Sequence, residues 1–111
     1  MVKSKVGLMG NFAERVLKIT KKIPKGKVAT YSQVAKLTKN PRAYRAVGQT
    51  LSNKPTPITI PCHRVVKSDG TLGGYAFGIE KKSRLLKNEG IKIQDGKIDL
   101  VKYGWRRNLA S

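Results

Sequence analysis

Five prolines, at positions 24, 41, 55, 57 and 61, cut the middle of this 111-residue chain into short pieces. Each removes a backbone donor and clashes with a continuing helix, so only short helices fit between them, and no central strand fits around Pro55 and Pro57. Before Pro24, Phe12, Val16, Ile19 and Ile23 fall on one face. They predict a helix over 11 to 22 capped by Asn11, with Glu14 three residues on. After the Lys25-Gly26-Lys27 turn, Thr30 and Gln33 have the spacing of a capping box, which opens a second helix from Tyr31 to about Thr38. Asn40-Pro41 supplies a cap followed by the residue favoured at the first helical position, and predicts a third helix over 41 to about 52. Two short helices about three residues apart resemble a helix-turn-helix.

The third helix has two faces. Tyr44, Val47 and Leu51 form a packing stripe, while Arg42, Arg45, Gln49 and Ser52 form a polar one. Gly48 costs a helix interior about 1 kcal/mol and is expected where another backbone comes close. Downstream, Ile58-Thr59-Ile60 is a brief extended piece. Val65-Val66 and Thr71-Leu72 flank the turn at 67 to 70 as a small hairpin, and Gly73-Gly74-Tyr75 begins a flexible loop. Ile79 to about Asn88 reads as the last helix, stopped by Gly90. Residues 91 to 93 and 97 to 100 flank Asp95-Gly96 as a final hairpin, and Trp105 in the basic tail packs back on the body. The expected fold class is mostly α with minor β, a winged helix-turn-helix-like arrangement. The length suits one domain, 1 to 111.

The charge narrows the partners. Twenty-four Lys and Arg face six Asp and Glu, a net charge of +18, of which +12 lies in residues 1 to 55. Such a charge opposes compaction unless an anion is bound, and a polyphosphate backbone is the commonest one. Acidic lipid is disfavoured, because no long amphipathic basic helix is evident. No apolar run approaches a membrane span and the first ten residues lack a signal-peptide core, so the expected location is the cytoplasm or nucleoid, or the nucleus in a eukaryote. One Cys excludes an internal disulfide, and Cys62 with His63 cannot fill a structural zinc site. Neither a metal nor a cofactor is expected.

A lone Cys is commonly an inert small core residue. In Pro61-Cys62-His63-Arg64, however, it adjoins the only imidazole and a guanidinium, both of which favour thiolate over thiol. His63 could act on the thiol through a water or be oriented by a distant acid. A soft thiolate suits an alkyl carbon as electrophile, and the thioether product has no easy route back.

Pro61-Cys62-His63-Arg64-Val65-Val66, with Arg45-Ala46-Val47-Gly48 before it and Gly74-Tyr75 and Asn88-Glu89-Gly90 after it, resembles the 6-O-alkylguanine-DNA alkyltransferase family over residues 11 to 90. The resemblance implies a monomer that repairs double-stranded DNA by moving the alkyl group of a flipped guanine onto Cys62, once and irreversibly. It implies that His63 deprotonates Cys62 through a water and that Glu89 orients His63. Tyr31 would press on the phosphate 3′ to the lesion, Arg45 would fill the gap in the stack, and Tyr75 would help protonate the departing guanine. The helix carrying Arg42, Arg45, Gly48, Gln49 and Ser52 would enter the minor groove, with Asn53 and Arg64 as hinge and support.

Some positions depart from the family pattern. Asn53-Lys54-Pro55 displaces the hinge Asn by one residue, and Ala76 and Phe77 stand where Ser or Gly is frequent. The extra N-terminal domain of larger members is expected to be absent. Two rival readings remain: an alkyltransferase-like protein that binds alkylated guanine without transfer and recruits excision repair, and a plain basic helix-turn-helix protein with a structural Cys62. Relatives of the first kind typically replace the nucleophilic Cys, which this chain retains. A Cys-His hydrolase is disfavoured, since nothing marks an oxyanion hole.

Overall fold

The computed structural model describes the backbone of residues 2–53 and 60–106, with side chains from 12 to 52 and from 60 to 106. The expected extended piece at 58–60 falls mostly outside the described residues, as do the side chain of Asn53 and the tail beyond Arg106.

Helix α1 spans Val2–Lys21, so Asn11 is not its cap; the helix runs through that position for nine further residues toward the N-terminus. Its inward stripe is the predicted one, with Val16, Ile19 and Ile23 buried. Thr20 is also buried, its hydroxyl donating to the Val16 carbonyl at 2.7 Å, which satisfies a polar group in an apolar face. The end tightens, with Lys22 and Ile23 amides donating to the carbonyls of Ile19 and Thr20, and Pro24 follows.

Strand β1, Ala29–Thr30, leads into α2, Tyr31–Leu37. Half of the expected capping box forms. Thr30 Oγ1 accepts from the Gln33 amide at 3.0 Å, but the Gln33 side chain donates instead to the Trp105 carbonyl at 2.7 Å, tying the tail to the start of α2. Helix α3 spans Tyr44–Asn53, three residues later than predicted. Asn40 does not cap it, because its side-chain amide donates back to the Thr38 carbonyl at 3.1 Å. Residues 41–43 form a tight turn in which the Ala43 amide reaches the Asn40 carbonyl, and the first full helical bond runs from Val47 to Ala43.

The expected hairpin at 65–72 is replaced by different pairing. Strand β2, Val65–Val66, lies parallel to β1 in the register Ala29 to Val65 and Thr30 to Val66. Both valines are fully buried, as a strand covered on both faces requires; a half-exposed hairpin would have left one of them in water. The turn survives, closed by the Lys67 amide to the Thr71 carbonyl at 2.9 Å, while Thr71 bridges to Lys97.

Helix α4, Ile79–Asn88, has the predicted bounds, and Gly90 follows in the left-handed region. Strands β3, Ile93–Gln94, and β4, Lys97–Ile98, form the last hairpin, with Asp95 and Gly96 both at positive φ as its two-residue turn demands. Leu100 belongs to a short helix, α5, Leu100–Tyr103, rather than to β4, because the Asp99 carboxylate caps it through the Val101 and Lys102 amides. Trp105 packs back as expected, its amide donating to Val28 at 2.6 Å.

The core has two parts. Val16, Ile19, Ile23, Val34, Ala35, Val47 and Leu51 knit α1, α2 and α3 together around Ala29, Cys62 and Val65. Val28, Val66, Leu72, Leu86, Ile91 and Ile98 join the parallel strands to α4 and the last hairpin. The β1–β2 pair lies between them, and Cys62 sits where the two parts meet.

Candidate active site and nucleic-acid interface

A single 3₁₀ turn, Cys62–Arg64, fixes the site. The Cys62 amide donates to the Ile60 carbonyl and the Arg64 amide to that of Pro61. This turn sends Cys62 inward, 9% exposed, and leaves His63 and Arg64 facing the C-terminal end of α4. There Glu89 waits at the helix end. Its Oε2 pairs with His63 Nε2 at 2.8 Å and accepts from an Arg64 terminal nitrogen at 2.7 Å, while Oε1 accepts from Arg64 Nε at 2.9 Å. Arg64 uses its remaining arm on the Ile23 carbonyl at 2.7 Å. The guanidinium thus locks Glu89 in both position and charge, and ties the 3₁₀ turn to the end of α1.

Burial pushes Glu89 up, but the Arg64 and His63 hydrogen bonds outweigh it and hold its carboxyl below the usual range. Burial dominates at His63 and lowers it, against the opposing pull of Glu89. His63 is therefore a neutral imidazole at pH 7. With Nε2–H donating to the carboxylate, Nδ1 keeps a free lone pair and can take a proton.

The expectation that His63 and Arg64 favour the Cys62 thiolate is corrected here, since both point at Glu89. Burial pushes the Cys62 thiol up, opposed by its own backbone contact and by the cation of Lys82. Lys82 does not share the solvated face of its neighbours Lys81 and Arg84. Instead it is completely buried, donating from Nζ to the Val65 carbonyl at 2.7 Å and the Gly74 carbonyl at 2.9 Å, 5.7 Å from the Tyr31 ring centre. Burial lowers it to about 7. A signal for it existed: Lys82 lies four residues before Leu86, on the stripe of α4 that faces the core.

Two tyrosines approach the thiol. The Tyr31 hydroxyl reaches the Gly74 carbonyl at 3.4 Å, and its ring lies beside Gly48 of α3. The Tyr75 ring meets His63 edge-on at 6.4 Å and Phe77 at 5.4 Å. Both phenols are raised, by burial first and by Cys62 second, so each keeps its proton and can donate it. Phe77 is half-exposed on the outer side of Tyr75, with Lys81 Nζ 5.2 Å above its ring.

A groove of about 1000 Å³ opens beside this cluster, and Tyr31, Arg45, Gly48, Gln49 and Ser52 all line it. The polar stripe of α3 and Tyr31 therefore share one surface. Arg42 does not join them. It lies in the turn before α3 and borders a separate depression with Lys39 and Pro41. Tyr44, expected in the core, is 45% exposed and lines the groove, because α3 begins at that residue and only Val47 and Leu51 turn inward. A Cβ at Gly48 would meet only the Tyr31 ring, at 3.7 Å, so among the described residues no other backbone makes the close approach expected there. Ser32, Lys67 and Ser68 were missed as groove residues; they come from α2 and from the turn after β2, which only the parallel pairing brings opposite α3. Among the described residues, no three His, Cys, Asp or Glu side chains cluster to hold a metal, and no helix is long and apolar enough to cross a membrane.

A buried thiol, a neutral imidazole paired with a carboxylate, and a groove lined by Arg45 and the polar stripe of α3 are the parts that a nucleophilic DNA-directed domain would need. Residues 11–91 match the family described as 6-O-methylguanine DNA methyltransferase, DNA binding domain, and the chain belongs to that family. The methylated-DNA–protein-cysteine methyltransferase of Methanothermobacter thermautotrophicus is 42% identical over 83 residues, 75% of this chain and 46% of that protein. The DNA base-flipping protein of Escherichia coli is 41% identical over 96 residues, 86% of this chain and 74% of its own length. Among solved structures, S. pombe Atl1 in complex with damaged DNA containing O6-carboxymethylguanine superposes with a TM-score of 0.81 at 29% identity, covering 88% of this chain and 97% of that one. The chain spans half or less of the length of the curated methyltransferases it matches.

Proposed function

We propose that this domain performs direct-reversal repair of DNA, moving the alkyl group of a 6-O-alkylguanine in a duplex onto Cys62 Sγ, once per molecule. The observation that carries this reading is the Cys62–His63–Glu89 arrangement: a buried thiol followed by a neutral imidazole whose orientation and charge are held by a carboxylate. His63 Nδ1 takes the thiol proton through an intervening water, and Glu89 stabilises the imidazolium that forms. Sγ then forms a bond to the alkyl carbon as the bond from that carbon to the guanine oxygen breaks. The electron pair stays on the guanine, which takes a proton from Tyr75, whose burial keeps it protonated. The thioether has no leaving route, so each molecule turns over once.

The target oxygen lies inside a stacked duplex, and flipping its nucleotide costs a few kcal/mol, less at a damaged pair. In this reading, Tyr31 and α3 meet the backbone along the groove while Arg45 enters the stack and offsets part of that cost. The test is intact-protein mass spectrometry after mixing with a duplex holding one 6-O-methylguanine. One methyl group is expected on the peptide containing Cys62. Tight binding with no mass change would instead identify a damage sensor, a reading favoured by the coverage of Atl1 and the E. coli base-flipping protein. Arg45→Ala is expected to slow transfer from the duplex about tenfold, for ~1.4 kcal/mol of lost offset, and to leave transfer from the free 6-O-alkylguanine base unchanged. Equal slowing on both substrates would remove Arg45 from the flipping step.

A further inference from the structure

The C-terminal hairpin is fastened to a turn that lines the groove. The Ile98 amide donates to the Gly70 carbonyl at 2.8 Å and Thr71 bridges to Lys97, so β4 extends the turn at 67–70, whose Lys67 and Ser68 already line the groove opposite α3. The joint is tight: Gly70 is buried at φ +90°, and a Cβ there would lie 2.7 Å from the Ile98 carbonyl oxygen. At the top of this joint Asp69 turns its carboxylate onto the Thr71 amide and hydroxyl, at 3.0 and 2.6 Å. Those two bonds lower Asp69, and the charges of Lys67 and Lys97 add to the effect; the Lys67 amide bonds the Thr71 carbonyl and Thr71 bridges to Lys97, so both lysines flank the joint. Neither lysine makes an ion pair within 4 Å among the described residues, and both are exposed.

We infer that the turn at 67–70 and the β3–β4 hairpin form one wing, and that Lys67 and Lys97 hold backbone phosphates of duplex DNA across the groove from α3. This rests on duplex DNA being the partner. It gives the hairpin, which follows the family-matched residues, a share in the nucleic-acid surface. It also explains why that hairpin is fastened to a groove-lining turn and not to the recognition helix. Each lysine would release about one counterion on binding, as a sequence-independent contact does.

The double variant Lys67→Ala/Lys97→Ala changes two exposed side chains and leaves the joint intact. It is expected to bind undamaged duplex about tenfold more weakly near 0.1 M salt, and to lower the slope of log affinity against log salt by roughly 2. Transfer from the free 6-O-alkylguanine base should be unchanged. Gly70→Ala, which forces Ile98 away, is expected to weaken duplex binding similarly while sparing the free-base reaction. An unchanged salt slope in the double variant would overturn the wing, as would equal losses on duplex and free base. Failure of the wild-type chain to bind any duplex would sink the proposed function itself, a distinguishable outcome.

Discussion

Glu89→Gln is expected to slow alkyl transfer about a hundredfold or more at pH 7 and to destabilise the fold by about 3 kcal/mol. Both effects come from one carboxylate with two partners. On the chemical side, the proposed transfer has His63 hold a positive charge briefly once it takes the thiol proton. Among the described residues, Glu89 is the carboxylate against its Nε2 that balances that charge. An amide at 89 could still accept the Nε2 hydrogen bond, but it would carry no charge, so the transition state would lose more than the resting state. On the structural side, Arg64 loses the anion that fills its Nε and one terminal nitrogen, with only the Ile23 carbonyl remaining. A guanidinium only 15% exposed is then left nearly uncompensated.

For a domain of about 100 residues such a loss corresponds to a fall in Tm on the order of 15 °C. Its pH dependence follows from the lowered carboxyl. The contribution is fully present above the ordinary Glu value and is lost as pH falls through the lower folded value. The stability curves of wild type and variant should therefore converge in acid. Urea unfolding across pH 3 to 7 measures this; curves that stay parallel would show that the Glu89 charge does not stabilise the fold.

What the sequence reveals depends on whether a residue's partner is near in the chain. Pro24, the Thr30 cap, Asp95-Gly96 and Gly90 act on their immediate neighbours, and the elements they bound lie within a few residues of expectation. Asn40-Pro41 has an equally good local signature, yet Asn40 bonds backward to Thr38 and the helix starts late. The β1–β2 pair has no signature at all. Two residues per strand cannot display a period, and their parallel pairing joins positions 36 residues apart. Because that pair was invisible, so was the placement of Lys67 and Ser68 opposite α3.

The site divides along the same line. Cys62, His63 and Glu89 were legible through their motif, and the structure brings His63 and Glu89 into contact. The electrostatics were not legible, because adjacency suggested that Arg64 serves the thiol. A three-residue 3₁₀ turn rotates successive side chains by about a third of a turn, which separates Cys62 from both neighbours. The cation that does bear on Cys62 comes from α4, twenty residues later, hidden among other lysines whose side chains do reach water.

That lysine yields the second large effect. Lys82→Met keeps most of the apolar stem but removes the donor shared by the Val65 and Gly74 carbonyls. The buried Val65 carbonyl, losing that donor, costs about 1–3 kcal/mol, and the exposed Gly74 carbonyl keeps only the longer bond from the Tyr31 hydroxyl. The cation opposing the rise of the Cys62 thiol disappears too, so the thiol moves further up and transfer at neutral pH slows. The diagnostic is stability against pH. An unfolded lysine holds its proton to above pH 10, whereas burial lowers Lys82 in the fold to about 7. Between those values the unfolded chain binds a proton that the folded chain lacks, so stability rises with pH. Below 7 the cost of burying the ammonium is fully present. The wild type should therefore gain up to about 1.4 kcal/mol per pH unit relative to Lys82→Met between pH 7 and 10. Taking the difference removes the contribution of Tyr31, and the further rise of Cys62 in the variant widens the gap in the same direction. Urea midpoints measured across that range test it. A constant difference would mean that Lys82 keeps its charge throughout, held by its two carbonyls like an ordinary surface ammonium. A growing difference identifies the buried amine as a neutral donor above pH 7, and then its help to the Cys62 thiolate must fade over the same interval.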